Sequence, residues 1–193
     1  GEDIRLAFSQ WRDRPAMIID ESDSLPESVK IALHLGYNGT SHKNCKGVFK
    51  GIANACLLES LRRTQPGRTL ILSGEDLVNV GPVALLQDLA VMAVLGISHV
   101  ERNGHHYFSG MSAFPADLQR LMCTAHPDLY RAGARGFAQV LHKNGKVNLE
   151  SLTRAPFGLD INFDPRDWFT PLEDWRFETL DEVSAQFSLN ERI

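Results

Sequence analysis

Short apolar segments alternate with longer segments of helical periodicity along the first 110 residues or so of the chain. Ala16-Met17-Ile18-Ile19 is a continuous apolar run, and Thr69-Leu70-Ile71-Leu72 is another. Runs of this kind predict strands that are buried on both faces of a sheet. Together with one weaker and one clearer candidate, the pattern predicts four strands, at about 16–19, 39–43, 69–73 and 97–100.

Apolar residues at helical spacing follow each predicted strand. They predict helices over about 27–35, 48–61, 82–95 and 115–126, and Gly36 and Gly96 are typical residues for ending the first and third. The predicted strands lead into Asp20, Lys43, Glu75 and Glu101, which lie 23, 32 and 26 residues apart. Such spacing is typical of β/α units, whose short crossovers make the strands parallel.

Four β/α units predict an α/β fold that is half of a (β/α)₈ barrel. A closed barrel has eight strands and usually about 250 residues, whereas this chain has 193. We expect the partial barrel to occupy residues 1–130. Residues 131–193 are expected to pack on it within one structural domain, as a hairpin over 140–149 around Asn144-Gly145, an irregular tail and a last helix near 180–187. A flat doubly wound sheet is the alternative.

Composition excludes several classes of partner. The 24 acidic and 20 basic side chains give a net charge of −4 without a basic stripe, so we expect no nucleic-acid partner. The apolar stretch 83–95 contains Gln87 and Asp88 and is shorter than the roughly 20 residues that a bilayer demands, so we expect no membrane partner. Three cysteines without a CxxC pair favour neither disulfides nor structural zinc, and a reducing cytoplasm is the expected location.

The beginning of the chain and the edges of the predicted sheet both point to missing parts. The chain starts Gly1-Glu2-Asp3, with neither a methionine nor a signal-peptide pattern, and we expect further residues upstream. A half barrel leaves two sheet edges unpaired, and proteins normally cover or pair such edges. We therefore expect a homo-oligomer or a complementing half-barrel.

Charged side chains recur just past the predicted strands. Asp20 and Glu21, Lys43, Glu75 and Glu101 hold these positions. Active sites of α/β proteins lie at the carboxyl ends of parallel strands, so this end of the sheet is the predicted site. As an alternative, Lys43 and Lys46 with the following helix N-terminus would bind a phosphate or a carboxylate.

Four of these segments resemble, in order and spacing, barrel strands five to eight of the enolase superfamily. They are similar to its mandelate-racemase-like and muconate-lactonizing branches. The turn Pro156-Phe157-Gly158 is similar to the stretch that follows the barrel, so the resemblance covers about residues 5 to 165. The segments are Ile19-Asp20-Glu21-Ser22, Ser41-His42-Lys43, Leu72-Ser73-Gly74-Glu75-Asp76 and His99-Val100-Glu101-Arg102-Asn103.

The resemblance implies abstraction of the proton α to a carboxylate, assisted by Mg²⁺. Asp20 would be the third carboxylate ligand of the metal, with Glu21 beside it on the same loop. Lys43 would be the catalytic base or its conjugate acid, with Lys46 as the alternative lysine, and Glu101 would face the substrate oxygens. Because an α-proton is a very weak acid, the cation and the positive side chains must neutralise the developing dianion.

The remaining implied roles concern the substrate, which would be a small carboxylate. Glu75, Asn103 and Lys46 would contact it, and the reaction would be that of a racemase, a cycloisomerase or a dehydratase. The chain lacks the family's first two metal carboxylates, which lie on strands one to four. Gly74-Glu75-Asp76 also stands where the racemase branch has a histidine, so a two-base mechanism is not expected.

Two functions from different classes therefore remain open. The first is the C-terminal half of an enolase-superfamily-like isomerase or lyase that depends on Mg²⁺. The second is a non-catalytic module that associates with itself through its open sheet edges and its apolar helix over 82–95.

Overall fold

The computed structural model describes residues 2–75, 79–101, 109–159, 161 and 164–176. These residues form a mixed α/β fold with one parallel and one antiparallel sheet. The described helices are α1 (Glu2–Gln10), α2 (Ser28–Leu35), α3 (Val48–Thr64), α4 (Ala84–Val94), α5 (Ala116–Ala125) and α6 (Glu150–Thr153). The described strands are β1 (Gly39–His42), β2 (Ile71–Glu75), β3 (Val100–Glu101), β4 (Tyr130–Ala132) and β5 (Ala138–Val140). Short 3₁₀ turns cover Asn44–Lys46, Pro156–Gly158 and Pro165–Asp167.

The parallel sheet has the order β1-β2-β3, which is the order of the strands along the chain. Gly39 pairs with Ile71 at one end of the β1–β2 ladder, and Glu75 pairs with Glu101 at the far end of the β2–β3 ladder. The sequence therefore predicted the parallel β/α arrangement correctly. Over the described residues the sheet is open, and the prediction of a partial barrel is not confirmed.

The first predicted strand is reduced to a single parallel bridge between Ile19 and Thr40. The Ile19 amide donates to the Gly39 carbonyl at 3.0 Å, and the Ser41 amide donates to the Ile19 carbonyl at 3.1 Å. This bridge places Ile19 at the edge of the sheet beside β1. Asp20 consequently lies next to the end of β1.

Gly39 lets β1 approach β2 closely. Its φ is 150°, and a Cβ built on it would lie 1.8 Å from the carbonyl oxygen of Ile71. A side chain at this position would collide with the neighbouring strand, so the register that aligns the strand ends depends on glycine.

Two hydrophobic clusters hold the fold together. The smaller lies between the sheet and helices α2 and α3, and the larger surrounds α4 in the C-terminal part. Helix α4 is apolar on most sides because it packs against both the sheet and this C-terminal part. The described residues include no helix with the length and the hydrophobicity that crossing a bilayer would require.

The C-terminal part differs from its prediction in one respect. Asn144 and Gly145 do form a tight turn with positive φ, but only Lys143 and Lys146 pair across it. The hairpin is therefore confirmed at its Asn144-Gly145 turn. The flanking Val147 packs against the larger core cluster, so the ladder does not extend over the predicted range 140–149. The antiparallel pair is β4 with β5, immediately upstream.

The division of the chain into residues 1–130 and 131–193 remains a prediction. The helix predicted near 180–187 lies outside the described residues.

Candidate active site

Alternation along β1 sends successive side chains to opposite faces of the sheet. Thr40 and His42 face α3, where the His42 ring packs directly on Gly51. Ser41 and Lys43 face the other side of the sheet, which we call the concave face because a groove lined by Ser41 and Ser73 runs along it. Lys43 directly follows β1 in extended conformation, with φ −140° and ψ 135°, so the strand itself directs its ammonium group toward the neighbouring strand ends.

Three carboxylates surround the ammonium group of Lys43. Its Nζ lies 3.0 Å from Asp20 Oδ2, 2.9 Å from Glu21 Oε1 and 2.8 Å from Glu75 Oε2. The Lys43 side chain is 2% exposed, whereas that of Glu21 is 86% exposed, so solvent weakens the Glu21 contact most. We call Asp20, Glu21, Lys43, Lys46 and Glu75 the Lys43 cluster.

Asp20 has a second cationic partner in Lys46. The Lys46 Nζ lies 2.7 Å from Asp20 Oδ1 and 2.9 Å from the Asp20 carbonyl oxygen. The Ser41 hydroxyl also donates to Asp20 Oδ1. Both oxygens of this carboxylate therefore accept hydrogen bonds from charged or polar donors, and its orientation is fixed.

These contacts determine which groups are charged. Burial acts to lower the pKa of Lys43, but hydrogen bonds to Glu75, Glu21 and Asp20 outweigh burial, and the pKa is raised. Burial acts to raise the pKa of Asp20, yet hydrogen bonds from Lys46, Ser41 and Lys43 hold it well below its ordinary range. At neutral pH Lys43 is a cation and Asp20 an anion.

A groove of about 480 Å³ extends from the cluster along the concave face of the sheet. Small and apolar residues alternate with polar ones in its lining, which consists of Ala16, Ile18, Asp20, Ser41, Ile71, Ser73, Gly74, Glu75, His99, Val100 and Glu101. Glu101 is exposed and pairs in register with Glu75 on the adjacent strand. Among the described residues, the Lys43 cluster holds three carboxylates, those of Asp20, Glu21 and Glu75, against the two lysines Lys43 and Lys46, so its described side chains carry one net negative charge.

The structure brings together most of the residues that the sequence selected. Asp20, Glu21, Lys43, Lys46 and Glu75 form the cluster, and Glu101 lies on the neighbouring strand. Asn103, predicted to bind substrate, lies outside the described residues.

The described residues do not by themselves form a magnesium site. Asp20, Glu21 and Glu75 offer the hard oxygen ligands that Mg²⁺ prefers, but they converge on the Lys43 ammonium group. Across the described ranges, no three side chains of His, Cys, Asp or Glu are placed to hold a metal ion. A complete site would require oxygen ligands from elsewhere.

The anion-binding alternative fits this geometry poorly. Lys43 and Lys46 both pair with Asp20, and Lys50 in the first turn of α3 pairs with Asp23 at 3.2 Å. Because each of these ammonium groups already has a carboxylate partner, the N-terminus of α3 presents no surplus positive charge to a phosphate.

The sequence interpretation missed Asp23. It selected Asp20 and Glu21 for their position directly after a strand and assigned no role to the next carboxylate along the chain. Asp23 is 2% exposed, and its side chain lies between β1 and α3 instead of in the groove. Lys50 and Asn54, four residues apart, do indicate a polar face on the predicted helix, but their spacing alone does not identify Asp23 as the partner of that face.

Known proteins provide no independent guide to this site. Comparison with the models of known protein families, with curated protein sequences and with solved structures found no match.

Proposed function

We propose that this chain is the lysine-bearing half of an enzyme that moves the proton α to a carboxylate, of the enolase-superfamily type. One observation carries the proposal. Asp20, Lys43 and Glu75 come from the ends of three adjacent parallel segments. Asp20 and Glu75 line an open groove, and both lie within hydrogen-bonding distance of the buried ammonium group of Lys43 behind them. That position is where α/β enzymes place their reactive groups.

Lys43 is the proton carrier in this proposal. As a cation, it delivers a proton from Nζ to the α-carbon of an enolate, and the electron pair of the enolate forms the new C–H bond. In the reverse direction the neutral amine takes the proton, and the C–H electron pair moves onto the carboxylate. The surrounding carboxylates favour the charged lysine, so the described arrangement favours proton donation, and Lys43 becomes a base only when these carboxylates engage another cation.

The acidic end of the groove supports a role for a divalent cation in the complete barrel. A carboxylate substrate would be repelled by the net negative charge of the Lys43 cluster unless a cation lay between them. Asp20 and Glu21 would hold Mg²⁺ together with oxygen ligands from strands that this half does not provide. Bound there, the ion would supply the charge that stabilises an enediolate.

Thermal unfolding with and without excess MgCl₂ tests the proposal. A ligand that binds only the native state raises the unfolding temperature by mass action. We expect Mg²⁺, held by Asp20 and Glu21 with water as its remaining ligands, to raise it for the wild type and not for Asp20→Asn. The matched control is Glu59→Gln, which removes an exposed carboxylate on α3 that pairs with Arg63; it should keep the full Mg²⁺ response.

If Mg²⁺ raises the unfolding temperature of the wild type, the next experiment measures the proton transfer. Exchange of the α-proton of small carboxylic acids for deuterium in D₂O should require Lys43, and Lys43→Ala should abolish exchange but keep the Mg²⁺ response. If Mg²⁺ leaves the unfolding temperature of the wild type unchanged, this chain has no metal site of its own. The proposal then fails for the chain as it stands.

A second candidate function is self-association without catalysis, and one observation favours it. Between α3, α4 and α6 lies an apolar groove of about 430 Å³, bordered by Phe49, Val94 and Phe157. These three side chains are 88%, 83% and 67% exposed, and exposed apolar surface of this kind marks interaction sites. Sedimentation equilibrium tests this candidate, since a monomer at all micromolar concentrations would exclude it.

A further inference from the structure

Asp23 is buried in a polar network on the opposite side of β1 from the Lys43 cluster. Its Oδ2 accepts hydrogen bonds from Thr40 Oγ1 at 2.9 Å and from Asn54 Nδ2 at 3.1 Å. Its Oδ1 lies 3.2 Å from the Nζ of Lys50, which also donates to the Asp23 carbonyl oxygen. One carboxylate thus binds the segment after the first strand to both β1 and α3.

The backbone connects Asp23 to the Lys43 cluster. The Asp23 amide donates to the Asp20 carbonyl at 2.8 Å, which closes a tight turn over 20–23. Lys46 donates to the same Asp20 carbonyl from the concave side. The two residues that contact Lys43 from this segment, Asp20 and Glu21, are therefore the first two residues of a turn whose last residue is anchored.

Thr40 and Ser41 support this turn from both faces of the sheet. Thr40 bonds to Asp23 on the helix side, and its neighbour Ser41 bonds to Asp20 on the concave side. Because adjacent strand residues point in opposite directions, one short stretch of β1 holds both ends of the turn. Moving Asp23 would therefore change where Asp20 and Glu21 lie relative to Lys43.

We infer that Asp23 is a positioning residue, which anchors the turn over 20–23 and so keeps the Asp20 and Glu21 carboxylates on the Lys43 ammonium group. The inference rests on the proposed function in treating the Lys43 cluster as the active site. It assigns Asp23 no contact with substrate or metal. Its effect passes through the turn to Asp20.

The test follows the Lys43 ammonium group by NMR in ¹⁵N-labelled protein at low temperature and mildly acidic pH. An ammonium group shielded by three carboxylates exchanges its protons slowly and gives an observable signal, which is identified by its absence in Lys43→Arg. We expect Asp23→Asn to remove or shift this signal. Because Asp23→Asn leaves Lys50 without its buried partner, the double variant Asp23→Asn with Lys50→Met, which removes both charges, guards against unfolding.

A role for Asp23 in stability alone would give a different result. The matched control is Gln119→Leu, which removes a buried side chain that bonds the Phe114 carbonyl and the Ala138 amide in the C-terminal part. This variant should lower the unfolding temperature and leave the Lys43 signal unchanged. A folded double variant with an unchanged Lys43 signal would overturn the inference.

The outcome is independent of the proposed function because the measurement uses neither substrate nor metal. Loss of the signal in the Asp23 variants, together with no Mg²⁺ response in the wild type, would support the positioning role and contradict the proposed function. An unchanged Lys43 signal in the Asp23 variants, together with an Mg²⁺ response in the wild type, would contradict the positioning role and support the proposed function.

Discussion

The ammonium group of Lys43 balances the charge of carboxylates that reach it from two other segments of the chain. Lys43→Met keeps much of the side-chain volume but takes away the cation that Asp20 and Glu75 share. We expect the free energy of unfolding at neutral pH to fall by about 2 kcal/mol, less than for a fully buried pair because Asp20 and Glu21 contact water. Urea unfolding of the wild type and of Lys43→Met measures this difference in unfolding free energy. Lys30→Met on the exposed face of α2 is the control, and an equal loss in both variants would contradict the prediction.

The charge of Asp20 determines how stability depends on acid. Its lowered pKa means that Asp20 stabilises the fold above its ordinary pKa of about 3.9, and that this share is lost as the pH falls toward the lowered value. The difference in unfolding free energy between wild type and Asp20→Asn should therefore be largest at neutral pH and shrink below about pH 4. A difference that stays constant into strong acid would refute this assignment.

The sequence predicted that Asp20, Lys43 and Glu75 lie at one end of the sheet, and the structure places them together, whereas their roles remain predictions. One local rule was sufficient for this placement, because each residue stands at or just after the end of a parallel segment, and parallel strands bring such residues together. The role of Asp23 required knowing that Thr40 faces α3 and that Lys50 and Asn54 face β1. Those orientations depend on packing between elements and cannot be obtained from the spacing of polar residues alone.

At the scale of elements, the contact between β1 and α3 depends on the absence of a side chain at Gly51. A Cβ there would lie 2.3 Å from Nδ1 of the buried His42 ring. Alanine normally stabilises a helix by about 1 kcal/mol relative to glycine, but here overpacking should dominate. We expect Gly51→Ala to lower the unfolding free energy by about 1–3 kcal/mol.

Two further variants test whether contact with the His42 ring causes the loss of stability in Gly51→Ala. Gly67→Ala introduces the same group where nothing lies within 4 Å of the built Cβ, and its unfolding free energy should stay within about 0.5 kcal/mol of the wild type. The second variant combines Gly51→Ala with His42→Ala, which makes room for the methyl group. Strictly additive effects of the two substitutions would show that the His42 ring is not the obstacle.

Helices and strands differed in how well the sequence predicted them. Helix α4 was predicted over 82–95 and is found over 84–94, because a long apolar segment with a glycine stop has few other interpretations. The strand predicted at 16–19 contributes one bridge at Ile19. A strand forms only as far as its neighbours pair with it, and along the described sheet Ile19 has β1 on one side only.

At the scale of the whole molecule, closure of the sheet is the feature that local patterns could not predict. The spacing of the strands predicted parallel β/α units, and the structure confirms a parallel sheet in that order. Whether such a sheet curves into a barrel depends on what pairs with its two edges. The concave groove and the exposed apolar groove between α3, α4 and α6 are therefore the surfaces on which assembly would act.

Val94 offers the most direct test of assembly through the apolar groove. It is 83% exposed on α4 beside Phe49 and Phe157, so a lysine there would place a charge in any interface without disturbing the core. If the chain associates through this groove, Val94→Lys should raise the dissociation constant at least tenfold, about 1.4 kcal/mol. Leu172→Lys, at an equally exposed apolar position away from this groove, should leave association unchanged. Equal weakening in both variants would indicate nonspecific contact between apolar surfaces, and only a selective effect of Val94→Lys would assign a defined interface to this groove.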